Sequence, residues 1–103
     1  MKRGEIRWYT FSAPDKRRPV LVLTRDSILG YLNEVTVAPV TCTVRDIPTE
    51  VVLGGEDGMP HASAVNCDHM QTVPKNKVGA LITTLSASKL ACVSRAIRFA
   101  LDL

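Results

Sequence analysis

The hydrophobic pattern of this chain changes period once, and late. Up to Thr84 the apolar residues fall in short, strand-sized runs cut by Gly, Pro and polar clusters. After Ser86 they recur at helical spacing: Leu90, Val93, Ile97 and Leu101 form one stripe, with Arg95, Arg98 and Asp102 off it. A chain patterned this way folds as a small β structure finished by one amphipathic helix. The expectation is therefore a mainly β (α+β) fold, a small closed barrel or strongly twisted sheet, with a C-terminal amphipathic helix.

The individual segments follow from side-chain chemistry. Glu5 to Phe11 is rich in β-branched and aromatic residues and reads as a strand, with Trp8 in the core and Tyr9 on the surface. Ser12 to Arg18 reads as a polar loop with a Pro14-Asp15 turn signal. Pro19 to Thr24 is a short continuous apolar run, strand-sized and placed centrally in a sheet, with Pro19 tolerated at its first position. Arg25 to Asn33 holds a short helical turn weakened by Gly30. Glu34 to Thr41 alternates as a strand with an edge or bulge at Pro39. Ile47 to Leu53, Ala62 to Cys67, Met70 to Val73 and Val78 to Thr84 complete the strands. Ser86 or Ser88 caps the helix, because a serine oxygen accepts from the orphan N–H groups of a first turn.

With 103 residues, 46% hydrophobic and 22% charged, the chain is expected to be a single ordered domain over residues 1–103. A core this small gains from dimerisation. No apolar run reaches the roughly 18 residues of a membrane span, and no apolar leader follows Met1, so a cytoplasmic location without membrane contact is expected. Cys42, Cys67 and Cys92 are odd in number and form no CxxC pair, which fits buried thiols in a reducing compartment better than disulfides or a zinc site.

The net charge of +3 hides a segregation. Residues 1–25 hold seven bases and two acids, residues 26–74 one base and seven acids, and residues 75–103 five bases and one acid. A basic N-terminal region suits a phosphate-bearing partner, although it also suits a merely solvated face. Arg17-Arg18-Pro19 is the sharpest feature within it. A guanidinium fork matches a phosphate, and proline restricts the backbone beside it. Thr41 and Thr43 end the third strand with hydroxyls able to donate to a phosphate oxygen. Asp68, His69 and Gln71 offer base-edge donors and acceptors and a titratable ring. Against these stand a basic turn, β-branched filling and a polar turn. His61, after Pro60, reads as a solvated loop histidine.

Taken in order, the basic–Gly–Glu–Ile–x–Trp opening, Arg17-Arg18-Pro19-Val20-Leu21-Val22-Leu23, the Val35–Thr41 segment and the Ser63–Val73 stretch resemble the MazF/PemK toxins of bacterial toxin–antitoxin modules. The resemblance spans essentially the whole chain. It implies an SH3-like, CcdB-like barrel with a C-terminal helix, acting as a homodimer. It implies a metal-independent endoribonuclease without cofactor that cuts single-stranded RNA at specific sequences, leaving 2′,3′-cyclic phosphate and 5′-OH ends. A cognate antitoxin, with an acidic disordered tail that masks Arg17 and Arg18, is the implied protein partner. By the same resemblance Arg18 and Thr41 are catalytic and Asp68 and His69 contact RNA; Arg17, Thr43 and Gln71 are expected, from their own side chains, to contact RNA beside them.

Two departures stand out. Asn66 occupies a position where some relatives carry an arginine, and the Ser12–Arg18 loop is shorter than in most. The general base stays open among Arg18, Asp68 and His69. Two other readings compete. A gyrase poison of the CcdB type would need an aromatic helix end around a tryptophan, whereas the only Trp is Trp8. A non-catalytic RNA-binding barrel would have no need of Arg18 and Thr41 together.

Overall fold

The computed structural model describes residues 1–12 and 16–103. The Pro14-Asp15 turn signal lies outside them. Seven strands form one sheet: β1 (Glu5–Phe11), β2 (Lys16–Val22), β3 (Glu34–Thr41), β4 (Glu50–Leu53), β5 (Ser63–Asn66), β6 (Gln71–Pro74) and β7 (Leu81–Thr84). A one-turn helix, α1 (Asp26–Leu29), joins β2 to β3, and α2 (Ala87–Leu101) closes the chain. The sheet order is β4-β5-β3-β2-β1-β7, with β6 also on β3, and every pairing is antiparallel. The result is a mainly β half-barrel with a C-terminal helix, α2 packing on β4 and on the turn at Cys67–His69.

β2 buries both faces, and this is why its sequence is continuously apolar. Leu21 joins a core with Ile6, Val40, Leu53, Val65 and Val93, between the sheet and α2. Val20 and Val22 join a second core with Leu29, Val35, Val37 and Val73 on the opposite face. Tyr9 and Phe11 pack against this second core, edge to face with centroids 4.9 Å apart. The expected assignment of β1 is therefore inverted in part: Tyr9 packs against apolar side chains, and Trp8 is only half-buried.

Pro39 marks a change of partner. On one side β3 pairs continuously with β2 through Val37, Ala38 and Pro39. On the other, Glu34–Val37 pair with β6 and Val40–Thr41 pair with β5, leaving Ala38 and Pro39 between the two ladders. A residue without an N–H belongs at such a joint, because no ladder there loses a donor.

Several boundaries differ from the sequence reading. β2 begins at Lys16, so Arg17 and Arg18 lie in the strand rather than in a loop; pairing with β1 at Thr10↔Arg17 and Tyr9↔Arg18 extends it. β4 starts only at Glu50, since Pro48 interrupts the run from Ile47. β7 starts at Leu81 rather than Val78, where its pairing with β1 shifts register between Ile6 and Arg7. Of the two capping candidates Ser86 is the cap: its Oγ accepts the Lys89 N–H at 3.2 Å. The stripe of α2 is buried at Val93 and half-buried at Leu90 and Ile97, but Leu101 is exposed. Of the cysteines only Cys67 is buried, and Cys42 is exposed.

The Gly54–Ala62 connection is held at several points. Gly54 N–H donates to Asp57 Oδ2 at 3.0 Å, and Thr83 Oγ1 donates to the Asp57 carbonyl at 3.0 Å. Gly58 takes φ +85°, where a Cβ would collide with the Thr83 side chain. Met59 is then inserted into the main core.

Candidate active site

Arg18 and Thr41 are brought together by register. β2 and β3 pair Val20 with Pro39. Carried two residues further along both strands, that register sets Arg18 against Thr41, with both side chains on the same face. The β2–β3 ladder itself ends at Val20↔Pro39; beyond it Arg18 is held by pairing with Tyr9 and Thr41 by pairing with Ala64.

Two cavities meet at this pair. One, of about 400 Å³, is lined by Trp8, Arg17, Arg18, Thr41, His61 and Ser63, among others. The second, of about 310 Å³, is lined by Arg18, Pro39, Thr41, Thr43, Arg45, Asn66 and His69. Arg18, Thr41 and Thr43 border both. A guanidinium and two hydroxyls thus form the wall between two hollows, the arrangement expected where a phosphate sits between two nucleosides.

The side chains around that wall are held in defined states. Thr41 Oγ1 accepts the Thr43 N–H at 3.1 Å, which leaves the Thr41 hydroxyl proton free to donate outward. Arg17 lies over the Trp8 ring, its Cζ 4.1 Å from the centroid, so an exposed cation is steadied on an aromatic face. Arg45 is bound to Glu50 by Nε–Oε2 at 2.8 Å and by its backbone N–H to Oε1 at 2.9 Å. Burial pushes the Glu50 carboxyl up, but these Arg45 hydrogen bonds and the Arg45 charge outweigh it and leave the carboxyl below its ordinary range. Ser63 Oγ is buried at the cavity floor and, among the described residues, is the one buried side-chain polar atom without a hydrogen-bond partner.

The Asn66–His69 turn is locked internally. Asn66 Oδ1 accepts the Asp68 N–H at 3.0 Å, so the amide nitrogen faces His69 and lies 3.1 Å from Nδ1. An amide NH2 only donates, so Nδ1 accepts and Nε2 carries the ring proton. Asp68 turns the other way and accepts from Thr49 Oγ1 at 2.6 Å. Burial, then the nearby Asp68 charge, push the Cys67 thiol behind this turn up to about 11.

Of the residues singled out in the sequence, Arg17, Arg18, Thr41, Thr43 and His69 converge on the two cavities. Asp68 borders neither. Gln71 opens instead into a separate, wider cleft of about 890 Å³, shared with Arg3, Arg25 and Arg98. Four residues enter the site that sequence reasoning left aside: Trp8, Arg45, Ser63 and His61. The signal for Trp8 was its place on the strand beside the arginines, where it forms a stacking floor. His61 is exposed, as its loop position suggests, but the anchored loop carries it into the cavity wall. Nothing local in the sequence reports that return.

The chain matches the family described as PemK-like, MazF-like toxin of type II toxin–antitoxin system over residues 2–101. It is 45% identical over 89 residues to endoribonuclease MazF3 of Mycobacterium tuberculosis, covering 86% of each chain. It is 37% identical over 101 residues to the probable endoribonuclease MazF5 of the same organism, covering 97% of this chain and 92% of that one. Its structure superposes on the Mycobacterium tuberculosis toxin MazF-mt6 with a TM-score of 0.88 at 41% identity, over 96% of this chain and 97% of the other. The MazE–MazF structure from Deinococcus radiodurans gives a TM-score of 0.84 at 25% identity, over 100% and 97% of the two chains. On these matches, over nearly its full length, the chain belongs to the PemK/MazF family of type II toxin–antitoxin toxins.

Proposed function

We propose that this chain is the endoribonuclease of a toxin–antitoxin pair, cutting single-stranded RNA without a metal ion. The 2′-OH of the substrate is the nucleophile, and the products carry 2′,3′-cyclic phosphate and 5′-OH ends. Arg18 and Thr41 bind the non-bridging oxygens of the scissile phosphate. There the guanidinium meets the charge that grows in the transition state, and the Thr41 hydroxyl fixes the in-line geometry. Arg17, stacked on Trp8, and Thr43 hold the flanking nucleotides, and the Nε2–H of His69 donates to a phosphate oxygen or a base edge. Asp68, exposed beside the turn with its carboxylate on Thr49 Oγ1, and Gln71 contact RNA only along a path that leaves the two cavities.

The observation that carries this reading is the position of Arg18 and Thr41 on the wall shared by two cavities. The likeness to named endoribonucleases supports it. The protein works in the cytosol as a homodimer. A cognate antitoxin inhibits it by laying an acidic, disordered segment over Arg17 and Arg18.

Incubating the purified protein with a long mixed-sequence RNA in EDTA, and mapping the new ends, tests the activity. Discrete cuts with 5′-OH ends are expected. Intact RNA from a folded protein free of antitoxin would refute the reading and turn attention to RNA binding alone or to a gyrase target.

A further inference from the structure

Cleavage by a 2′-OH needs a proton acceptor, and Arg18 is a poor one because its guanidinium stays charged. His69 is committed otherwise: its Nδ1 accepts the Asn66 amide at 3.1 Å and its Nε2 carries the proton, so both ring nitrogens are spent as acceptor and donor. Asp68 is bonded to Thr49 and borders neither cavity. One imidazole remains. His61 lines the larger cavity with Arg18 and Thr41, and among the described residues its ring makes no hydrogen bond.

On the cleavage reading above, we infer that His61 is the general base that takes the proton from the attacking 2′-OH. Three observations carry the inference. The residue follows a loop fixed through Met59 in the core and through the Thr83 and Gly54 hydrogen bonds, so the backbone that carries the exposed imidazole is held at the cavity rim. The cavity it lines is also bordered by Ser63, 2% exposed, whose buried Oγ has no hydrogen-bond partner among the described residues. The phosphate-binding pair lies between this cavity and that of His69, so a phosphate on Arg18 and Thr41 directs one flanking ribose toward His61 and the other toward His69. The other charged or titratable groups on the His61 cavity are Arg17 and Arg18 from β2 and Cys42 after β3.

The step balances. The neutral His61 ring accepts the 2′-OH proton as the 2′ oxygen bonds to phosphorus. The bond from phosphorus to the 5′ oxygen breaks, and the departing 5′ oxygen takes a proton from solvent water. The hydroxide so formed recovers the proton from the His61 imidazolium, leaving a cyclic phosphate, a 5′-OH and the ring as it began.

The test compares wild type with H61A and H61Q on one RNA containing a mapped cleavage site, together with the same RNA bearing sulfur in place of the scissile 5′ oxygen. Wild type is expected to lose rate as the pH is lowered, because the base must be unprotonated to act. Both variants are expected to show a kcat about 10²–10⁴-fold lower, without that acid limb, and no recovery on the sulfur-leaving substrate. A variant that keeps the wild-type kcat and acid limb, or that changes KM alone, overturns the assignment. Recovery on the sulfur substrate also overturns it, since it would make His61 the donor to the leaving oxygen. Wild-type protein that leaves all RNA intact overturns the cleavage reading and this assignment together. Wild-type cleavage with an unaltered H61A overturns the assignment alone.

Discussion

Arg18 and Thr41 contribute differently to the same phosphate. Arg18 brings a permanent charge with a planar fork, so R18A is expected to lower cleavage at least about 10²-fold and leave the melting temperature nearly unchanged. T41V removes the donor, and with it the acceptor of the Thr43 N–H, but keeps the branched shape, so a smaller loss in kcat, nearer about tenfold, is expected from single-turnover kinetics. Glu50 sets a pH dependence of another kind. Its carboxyl titrates below its ordinary value in the folded protein, so the unfolded chain binds the proton more readily. The resulting stability is fully present above about pH 4.3, the unfolded value, and is lost as pH falls through the folded one. E50Q should therefore melt lower than wild type at pH 7, and the gap should narrow as pH is taken from about 5 to about 3. A constant gap across that range would remove Glu50 from the account of acid unfolding.

At the scale of elements, legibility tracked how local the cause was. The helix α2 was readable because its period and its cap lie within the segment it forms. The strands were readable as strands, yet the start of β2 was not. Arg17 and Arg18 look like loop residues, and only pairing with Thr10 and Tyr9 makes them strand. Pro39 announced an irregularity, but the exchange of β6 for β5 depends on segments some thirty residues away. The candidate site divides the same way. Arg18 stands out by residue type and Thr41 by the family resemblance, whereas Ser63 enters only through the pairing of β5 with β4 and His61 only through the return of the Gly54–Ala62 loop. That loop rests on Gly58. G58A forces a left-handed backbone on a residue with a side chain and pushes Thr83 off the Asp57 carbonyl. A loss of about 1–3 kcal/mol in chemical denaturation is expected, with cleavage falling further than stability alone explains. An unchanged cleavage rate in folded G58A would show that the loop conformation is not needed by the site.

For the whole molecule, charge determines how strongly RNA is held and geometry determines where it is cut. Arg17 and Arg18 present cations on β2, and Arg45 enters the same surface already paired with Glu50. Each phosphate neutralised on a single strand should contribute about 0.7 to the slope of log affinity against log salt. R17A is expected to reduce that slope by about that amount and to uncover the Trp8 ring for stacking. A fluorescence titration with a non-cleavable 2′-deoxy oligonucleotide at several salt concentrations measures it, and an unchanged slope would place Arg17 off the RNA path.

The wall common to the two cavities has a consequence for small molecules. A compound anchored to Arg18 from the Trp8 side occupies the donors that a compound on the His69 side requires, although the hollows themselves do not overlap. Antagonists of the two hollows should therefore displace one another in a competition assay, as if they shared one receptor. Joined across Arg18 by a single anionic bridge, they would become one ligand in which each half brings the other to its place.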